Sequence, residues 1–409
     1  MTTKDPTLEI HFKGHKDSIT CLDFNPKGKQ LGVYIMMDFI FLASSSMDST
    51  MTLWNMVGQT HTSRFSGHTD AIFCVCFSPC GELVLTASRD KSVRLWTPYL
   101  SRGEPVSFKP HTAPVRWVDV SKLNDKFCTS SADKTIKIWT MHRQKFVSSL
   151  TGHGNWVRCC KYSPDSKRIA SCSDDKNVKI WDPASGNCIH SFQDSATFSI
   201  HLDFHPSGNC LAAGCTNNSV KIYDLRMNRL LQHYTDHNAS VHKVSFHPCG
   251  NFLLSTSEDA TVKIYDLLEG RQLYTLHGHQ AAVTAGKFSP DGAYFATGGV
   301  DNRVFLWKTN FVDRLPRESD LRPSVISDFP SLIGDEAPTD LRASGISSKI
   351  RPSVLDFRGR IDSLVAEEAP NDSFTPTKPV QRNSNEASKR TIPKKINTDK
   401  VRFQTKGAR

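Results

Sequence analysis

The sequence lacks the features that would place the protein in a membrane or at a metal centre. None of its apolar runs reaches the roughly 18 residues needed to cross a bilayer, and its 409 residues contain no Cys-x-x-Cys pair. The polar segment 1–6 carries no secretory pattern. We therefore expect no membrane association, no metal site and no cofactor.

Cysteine is present, but not in the pattern of a disulfide scaffold. The 12 cysteines fall mostly on predicted strands, as Cys21 and Cys159 do, or beside turns, as Cys80 and Cys249 do. Without a secretory signal, this placement predicts small free thiols in a reducing compartment.

One unit repeats along most of the chain. Its clearest copy, residues 152–182, combines a Gly-His pair at His153, a Ser-Pro-Asp turn, an aspartate at Asp175 and a Trp-Asp end at Trp181. Between these marks, short runs alternate between apolar and polar residues, which is the period of a β-strand. The unit therefore predicts short strands joined by tight turns.

The spacing of the copies predicts a β-propeller. Successive aromatic ends lie 42, 43, 42, 42, 42 and 42 residues apart, and such a period with Gly-His and Trp-Asp marks is typical of WD repeats, which form four-stranded blades. We predict an all-β protein with a seven-bladed WD40 propeller at residues 1–311 and a largely disordered, basic tail at 312–409. The aromatic ends are Trp54, Trp96, Trp139, Trp181, Tyr223, Tyr265 and Trp307.

Histidine, aspartate and tryptophan recur together in these copies. In WD-repeat proteins they form a buried hydrogen-bonded network with a strand hydroxyl, and the resemblance implies the same here, with Ser171 or Ser173 in the fourth blade. Such a network must be complete, because an unsatisfied buried polar group costs roughly 1–3 kcal/mol. A His–Asp–Ser set also resembles a hydrolase triad, but a catalytic site would occur once, so we predict no enzyme. The predicted network residues are His68, Asp90, Trp96, His111, Asp133, Trp139, His153, Asp175 and Trp181.

The chain departs from the regular repeat both before and within the first blade. Residues 8–12 precede the first Gly-His pair, and we predict that they close the ring as the outer strand of the blade that ends at Trp307. His15 and Trp54 are 39 residues apart, against 28 in other repeats. We assign the 11 extra residues to an apolar insert at 32–42, interpreted as an in-frame genomic segment or as an apolar contact loop.

The fifth repeat is degenerate. Asp194-Ser195 replaces the Gly-His pair, and Asn217 replaces the aspartate. Its network must therefore be rebuilt or lost, and we expect the weakest packing in this blade.

The tail has a different composition. From residue 312 onward it holds 18 Lys/Arg and 14 Asp/Glu with few aromatics, which predicts disorder. Arg-Pro-Ser-Val occurs at 322–325 and again at 351–354, either as a doubled binding motif or by chance. Residues 373–409 carry ten basic and two acidic side chains, a balance suited to an acidic surface.

The blade region resembles the centriolar WD-repeat family called proteome of centriole protein one, over about residues 6–311. This resemblance implies a cytoplasmic and cytoskeletal protein of centrioles and basal bodies that supports cilium formation. Family members carry a short C-terminal coiled coil, whereas no apolar heptads follow Asn310 here, which leaves self-association through such a coil without support. The segments that carry the resemblance are 11–15, 141–146, 155–158, 230–234 and 273–279.

Propellers function through the surfaces that they present. In WD-repeat proteins ligands often meet the face around the central channel, where this sequence places Trp, Phe and Arg, the residue types enriched in binding hot spots. The equivalent positions in blades one and seven hold the small residues Ser18, Thr20, Ala282 and Thr284. The alternative is that Trp156 packs against a neighbouring blade and the charges form a solvated rim. The predicted partner-binding residues are Phe73, Arg89, Arg116, Trp156, Arg158, Asp174, Phe198, His242 and Glu258.

Two functions are compatible with this surface. The first is a scaffold that binds centriolar or microtubule-associated proteins, and no nucleic acid. The second is a substrate receptor of a ubiquitin ligase, because Tyr223-Asp224-Leu225-Arg226 matches the loose Trp/Tyr-Asp-x-Arg box with which such receptors dock an adaptor. That box is also ordinary repeat chemistry, and we favour the scaffold.

Overall fold

Strands and turns make up the fold. Within the ranges that the structure describes, the only helical element is a 3₁₀ turn, His142–Gln144. The predicted tail at 312–409 and most of the predicted insert, residues 32–40, lie outside the described residues. The computed structural model describes residues 5–26, 41–56, 61–98, 105–194 and 197–311.

The described part of the chain contains 28 strands in seven antiparallel four-stranded sheets. The first strand and the first blade are β1 (Thr7–Lys13), β2 (Ile19–Phe24), β3 (Phe41–Ser46), β4 (Thr50–Asn55) and β5 (His61–Ser66). The second and third blades are β6 (Ile72–Phe77), β7 (Val84–Ser88), β8 (Val93–Trp96), β9 (Val106–Phe108), β10 (Val115–Val120), β11 (Lys126–Ser131), β12 (Ile136–Thr140) and β13 (Phe146–Leu150). The fourth and fifth blades are β14 (Val157–Tyr162), β15 (Ile169–Ser173), β16 (Asn177–Trp181), β17 (Cys188–Gln193), β18 (Ser199–Phe204), β19 (Cys210–Cys215), β20 (Val220–Asp224) and β21 (Arg229–Tyr234). The sixth and seventh blades are β22 (Val241–Phe246), β23 (Phe252–Ser257), β24 (Thr261–Asp266), β25 (Arg271–His277), β26 (Val283–Phe288), β27 (Tyr294–Gly299) and β28 (Arg303–Lys308).

The seven sheets form a closed ring. Each blade begins with an inner strand (β2, β6, β10, β14, β18, β22 or β26) that packs against the inner strand of the next blade, and β26 packs against β2. Inner and middle strands are largely buried, whereas outer strands such as β17 are mostly exposed. This gradient is expected, because a single blade buries its faces only by stacking on its neighbours.

The N-terminal strand closes the ring. The seventh sheet has the order β1-β28-β27-β26, with Thr7 opposite Lys308 and Phe12 opposite Val304. Phe12 is only 4% exposed, and its ring centroid lies 5.0 Å from that of Trp54 in the first blade. The predictions of seven blades and of an N-terminal closing strand are therefore confirmed.

One end of the predicted insert is wrong. Phe41 and Leu42, which we assigned to the apolar insert, belong to β3. Leu42 is fully buried and pairs with Phe24 on one side and Trp54 on the other, as Ile169 pairs with Tyr162 and Trp181. The extra residues must therefore precede Phe41. The sequence could not show this, because Leu31 fits the same strand position.

All twelve cysteines lie in described ranges, and every one of them is a free thiol. Most are buried on strands, as expected for small apolar side chains in a sheet core. The prediction of free thiols is confirmed.

Candidate protein-binding face

A hydrogen-bond network centred on a histidine recurs from blade to blade. In the fourth blade, His153 Nδ1 lies 2.7 Å from Asp175 Oδ2, and His153 Nε2 lies 2.7 Å from Ser171 Oγ. The indole Nε1 of Trp181 donates a 2.8 Å hydrogen bond to the same Ser171 oxygen. Ser173 instead accepts a hydrogen bond from the backbone N–H of Asp175. Ser171 is therefore the strand hydroxyl that the sequence left undecided.

The His–Asp and His–hydroxyl contacts occur in six blades, at 2.6–3.3 Å. Thr86 and Thr129 supply the hydroxyl in the second and third blades. The structure brings together the predicted network residues of these two blades, which are His68, Asp90, Trp96, His111, Asp133 and Trp139.

The electrostatics of the network fit a structural role. Burial lowers the pKa of His68 and His153 below that of a free histidine. Burial alone would raise the pKa of Asp90, but hydrogen bonds from Ser92 and His68 lower it to about 2. A neutral imidazole thus donates to an ionised carboxylate. The Ser171 hydroxyl is fully buried and engaged by both a histidine and a tryptophan, so it is not presented to a substrate as a nucleophile.

The polar contacts of the fifth blade differ from those of the other repeats. Asp194 forms an ion pair with Lys221 Nζ and accepts a 2.9 Å hydrogen bond from Thr197 Oγ1. Ser219 Oγ donates a 2.6 Å hydrogen bond to Asn217. Asp194 occupies the glycine position of the repeat and Lys221 that of Lys179, so this ion pair lies next to the positions of the His–Asp pair and does not occupy them.

One end of the channel carries the predicted partner-binding residues. The residue before the turn aspartate donates its backbone N–H to the residue that precedes the inner strand, as Asp174 does to Trp156 and Arg89 does to Ala71. This repeated bond holds equivalent side chains at one level around the ring. We call the cluster on blades two to five the arginine–aromatic face; it consists of Phe73, Arg89, Arg116, Trp156, Arg158, Asp174 and Phe198.

Arg116 lies between two aromatic rings at the centre of this face. Its guanidinium carbon is 4.7 Å from the ring centroid of Phe73 and 5.3 Å from that of Trp156. Cation–π contacts of this kind are worth about 0.5–2 kcal/mol each. Burial lowers the pKa of Arg116, and the charges of Arg158 and Arg89 lower it further.

Arg158 is held differently. It forms a bidentate pair with Asp174, with Nε 2.5 Å from Oδ1 and Nη2 3.0 Å from Oδ2, and it lies 5.2 Å from the Phe198 ring centroid. Such paired hydrogen bonds fix a guanidinium in one orientation. Arg158 and Asp174 therefore form a rigid, charge-balanced border for the site of Arg116.

The remaining predicted residues lie nearby with looser contacts. Arg89 forms only a long, exposed ion pair with Asp70, at 3.7 Å, which contributes little on its own. Burial lowers the pKa of His242, whereas the charge of Glu258 opposes that shift. Trp156 does contact Arg116 of the neighbouring blade, as our alternative supposed, yet it remains 44% exposed. Trp156 therefore packs against Arg116 and still exposes part of its ring to solvent.

Blades one and seven differ from this cluster. Met47 and Val300 occupy the position of Asp174 and are each 43% exposed. Thr20 and Thr284 donate hydrogen bonds to the backbone oxygens of Ile72 and Ile19 in the adjacent blade. This end of the channel thus carries the arginine–aromatic face on blades two to five, and the exposed apolar side chains of Met47 and Val300 on blades one and seven.

Sequence reasoning missed a second cluster inside the channel. The Lys243 ammonium lies 3.6 Å from the Trp117 ring centroid and 3.6 Å from Cys21 Sγ. The His201 ring packs 4.8 Å from that of Trp117. These four residues line a cavity of about 400 Å³. Each is the third residue of an inner strand, a position that the repeat register identifies in the sequence.

The predicted adaptor box is partly available to solvent. Asp224 is buried and accepts a 2.8 Å hydrogen bond from the Arg226 backbone N–H. The Arg226 side chain is 67% exposed and lies 3.6 Å from the Asp224 carboxylate.

The fold is a seven-bladed β-propeller, and its repeats assign the family. The family described as "WD domain, G-beta repeat" matches residues 6–55, 59–97, 104–140, 144–182, 186–224, 228–266 and 270–308. Because these segments cover more than half of the chain, the protein belongs to the WD40-repeat family.

Known proteins resemble shorter parts of the chain. POC1 centriolar protein homolog A of Xenopus tropicalis is 54% identical over 62 residues, 15% of this chain and 12% of that protein. POC1 centriolar protein homolog B of Danio rerio is 50% identical over 62 residues, 15% of this chain and 10% of that protein. THO complex subunit 3 of Arabidopsis thaliana is 34% identical over 102 residues, 23% of this chain and 29% of that protein. The resemblance to the centriolar family is confirmed, over a shorter stretch than we expected. The chain spans about a tenth of the length of the centriolar relatives.

No helix in the described ranges has the length and apolar character needed to cross a membrane.

Proposed function

We propose that this protein is a non-catalytic scaffold of centrioles and basal bodies, supporting centriole assembly or stability and cilium formation. In this role it would bind centriolar or microtubule-associated proteins through the arginine–aromatic face. The local identity of 54% with a POC1 centriolar protein homolog supports the setting. The observation that carries the binding role is Trp156, which stays 44% exposed beside Arg116 and Arg158.

The composition of the face supports protein binding. Exposed tryptophan and arginine are the residue types most enriched in binding hot spots. The rings of Phe73 and Trp156 and the Asp174 carboxylate hold the guanidinium groups in place before a partner arrives, and such preorganisation lowers the ordering cost of association.

Localisation of the full chain tests the proposal. The double substitution Trp156→Ala with Arg158→Ala should reduce the centriolar concentration of the tagged protein in ciliated cells. Arg226→Ala removes an arginine outside the face that is 67% exposed, against 28% for Arg158, and should leave localisation unchanged. Both variants should keep a thermal midpoint within a few degrees of the parent, as expected for surface changes. A double mutant that still concentrates at centrioles contradicts the proposal, and one that unfolds shows that Trp156 is a core residue.

The exposure of Arg226 supports a second candidate, a substrate receptor of a ubiquitin ligase. Its side chain is 67% exposed beside the buried Asp224, so an adaptor could reach it. A pull-down with the full chain and its Arg226→Ala variant separates the two functions. The receptor function requires recovery of a ligase adaptor that Arg226→Ala abolishes, whereas the scaffold function requires centriolar partners that this variant retains.

A further inference from the structure

The arginine–aromatic face holds one guanidinium group whose charge is not balanced. Arg158 is paired with Asp174 and Arg89 with Asp70. In the part of the chain that the structure describes, no ion pair joins Arg116 to a carboxylate, and its Nε is buried without a hydrogen-bond partner. Three arginines thus share two carboxylates, which leaves one positive charge at the centre of the face.

The geometry around Arg116 leaves one direction for a ligand. The rings of Phe73 and Trp156 cover the guanidinium group, so further contacts fall to the edge that carries its N–H donors. Burial and the like charges of Arg158 and Arg89 disfavour the charged form of Arg116, and the charge of Asp174 offsets them only in part, so the pKa of Arg116 is still lowered. An anion at that edge would relieve both effects.

We infer that Arg116 is the docking group for a carboxylate side chain in an acidic segment of a partner protein. A planar guanidinium binds a carboxylate through two parallel hydrogen bonds. The Trp156 ring, 44% exposed, would cover the carbon chain of the bound residue. The single uncompensated charge favours a carboxylate over a phosphate, which carries about two negative charges. This inference rests on the proposed function, because it names the partner chemistry of the same face.

Peptide binding to the purified full chain tests the inference. The probes are a fluorescein-labelled, glutamate-rich peptide and the same peptide with glutamine at every glutamate position, measured by fluorescence anisotropy. We expect the glutamate peptide to bind about tenfold tighter or more, with the preference falling as salt rises, because the contact is partly exposed. Equal binding of the two peptides would overturn the inference, while the localisation experiment would still decide the proposed function.

Substitutions at Arg116 make the test specific. Arg116→Gln should abolish the preference for glutamate, and Arg226→Gln, the matched change outside the face, should leave it intact. Arg116→Lys keeps the charge but lacks the planar pair of donors, so it should lose most of the preference even if the glutamine variant folds poorly. Retention of the full preference by both Arg116 variants would overturn the assignment.

Two further outcomes exclude other occupants. A phosphoserine peptide that binds more than about tenfold tighter than its glutamate counterpart would replace the carboxylate by a phosphate and overturn the inference. The tail at 312–409 contains one pair of adjacent glutamates, Glu367 and Glu368. Binding of the glutamate probe that appears only after both are changed to glutamine would assign the site to the tail of the same chain, and would also overturn the inference.

Discussion

In six of the seven blades, a single hydroxyl group connects the buried histidine network. The Ser171 oxygen contacts the imidazole of His153 at 2.7 Å and accepts the Trp181 indole N–H at 2.8 Å. Because all three groups are buried, no water replaces a lost partner at low cost. The network therefore depends on the oxygen atom of Ser171. The sequence could not distinguish it from Ser173, and only the assembled strands show which of the two hydroxyls the histidine and the tryptophan contact.

The first prediction is that Ser171→Ala lowers the free energy of unfolding by roughly 1–3 kcal/mol, since it leaves two buried groups unsatisfied. Chemical denaturation followed by tryptophan fluorescence measures this change. Ser191→Ala, on the exposed outer strand β17, is the matched control and should stay within about 0.5 kcal/mol. Equal stability of the two variants would show that the Ser171 hydroxyl does not contribute to the free energy of unfolding.

At the scale of elements, the middle strand of the first blade shows how an insertion is tolerated. Leu42 is buried between Phe24 and Trp54, and the extra residues come before Phe41 in the sequence. Added residues between two strands change loop-closure entropy only slowly with their number, whereas the strand itself cannot be shifted without moving its side chains to the other face.

The second prediction separates the strand from the insert. Deleting residues 30–40 restores the 28-residue spacing and keeps Phe41 and Leu42, so the thermal midpoint should be unchanged or higher. Leu42→Ala in the full chain should cost about 2–5 kcal/mol, because it creates a cavity in the core. If the deletion unfolds the protein while Leu42→Ala is tolerated, the assignment of β3 is wrong.

The repeat period made most of the fold predictable from the sequence. The seven aromatic ends follow from the spacing of the repeats, and the closing strand follows from the open edge that the last blade would otherwise leave. The histidine–aspartate pairs were implied by the resemblance to WD-repeat proteins. The insert boundary was not predictable, since Leu31 and Leu42 fit the same position. For the arginine–aromatic face, spacing placed Trp156 and Arg116 at the same end of the channel on adjacent blades. It could not show that the Arg116 guanidinium lies over the Trp156 ring, because that contact depends on the rotamers of both side chains. The channel cluster of Trp117 and Lys243 joins blades three and six, so no local pattern contains both.

At the scale of the whole molecule, β1 connects the two ends of the propeller. Its six paired positions on β28 complete the seventh sheet, and Phe12 packs on Trp54 of the first blade at 5.0 Å. The same apolar cluster contains Ile19 and Leu22 of the first blade and Val304 and Leu306 of the seventh. One strand therefore supplies both the outer edge of one blade and part of the interface with the next.

The third prediction follows from this double role. Deleting residues 1–13 should sharply lower the thermal midpoint, because it exposes the edge of β28 and removes Phe12, whose loss alone costs about 3–5 kcal/mol. Since a whole domain is stable by only about 5–15 kcal/mol, this single strand accounts for a large part of the total.

Leu8→Ala changes a half-exposed residue of the same strand and should stay within about 0.5 kcal/mol. Differential scanning calorimetry of the deletion, the point variant and the parent measures the effect. An unchanged midpoint after the deletion would mean that the ring holds without its N-terminal strand, and that blades one and seven are joined by their inner strands alone.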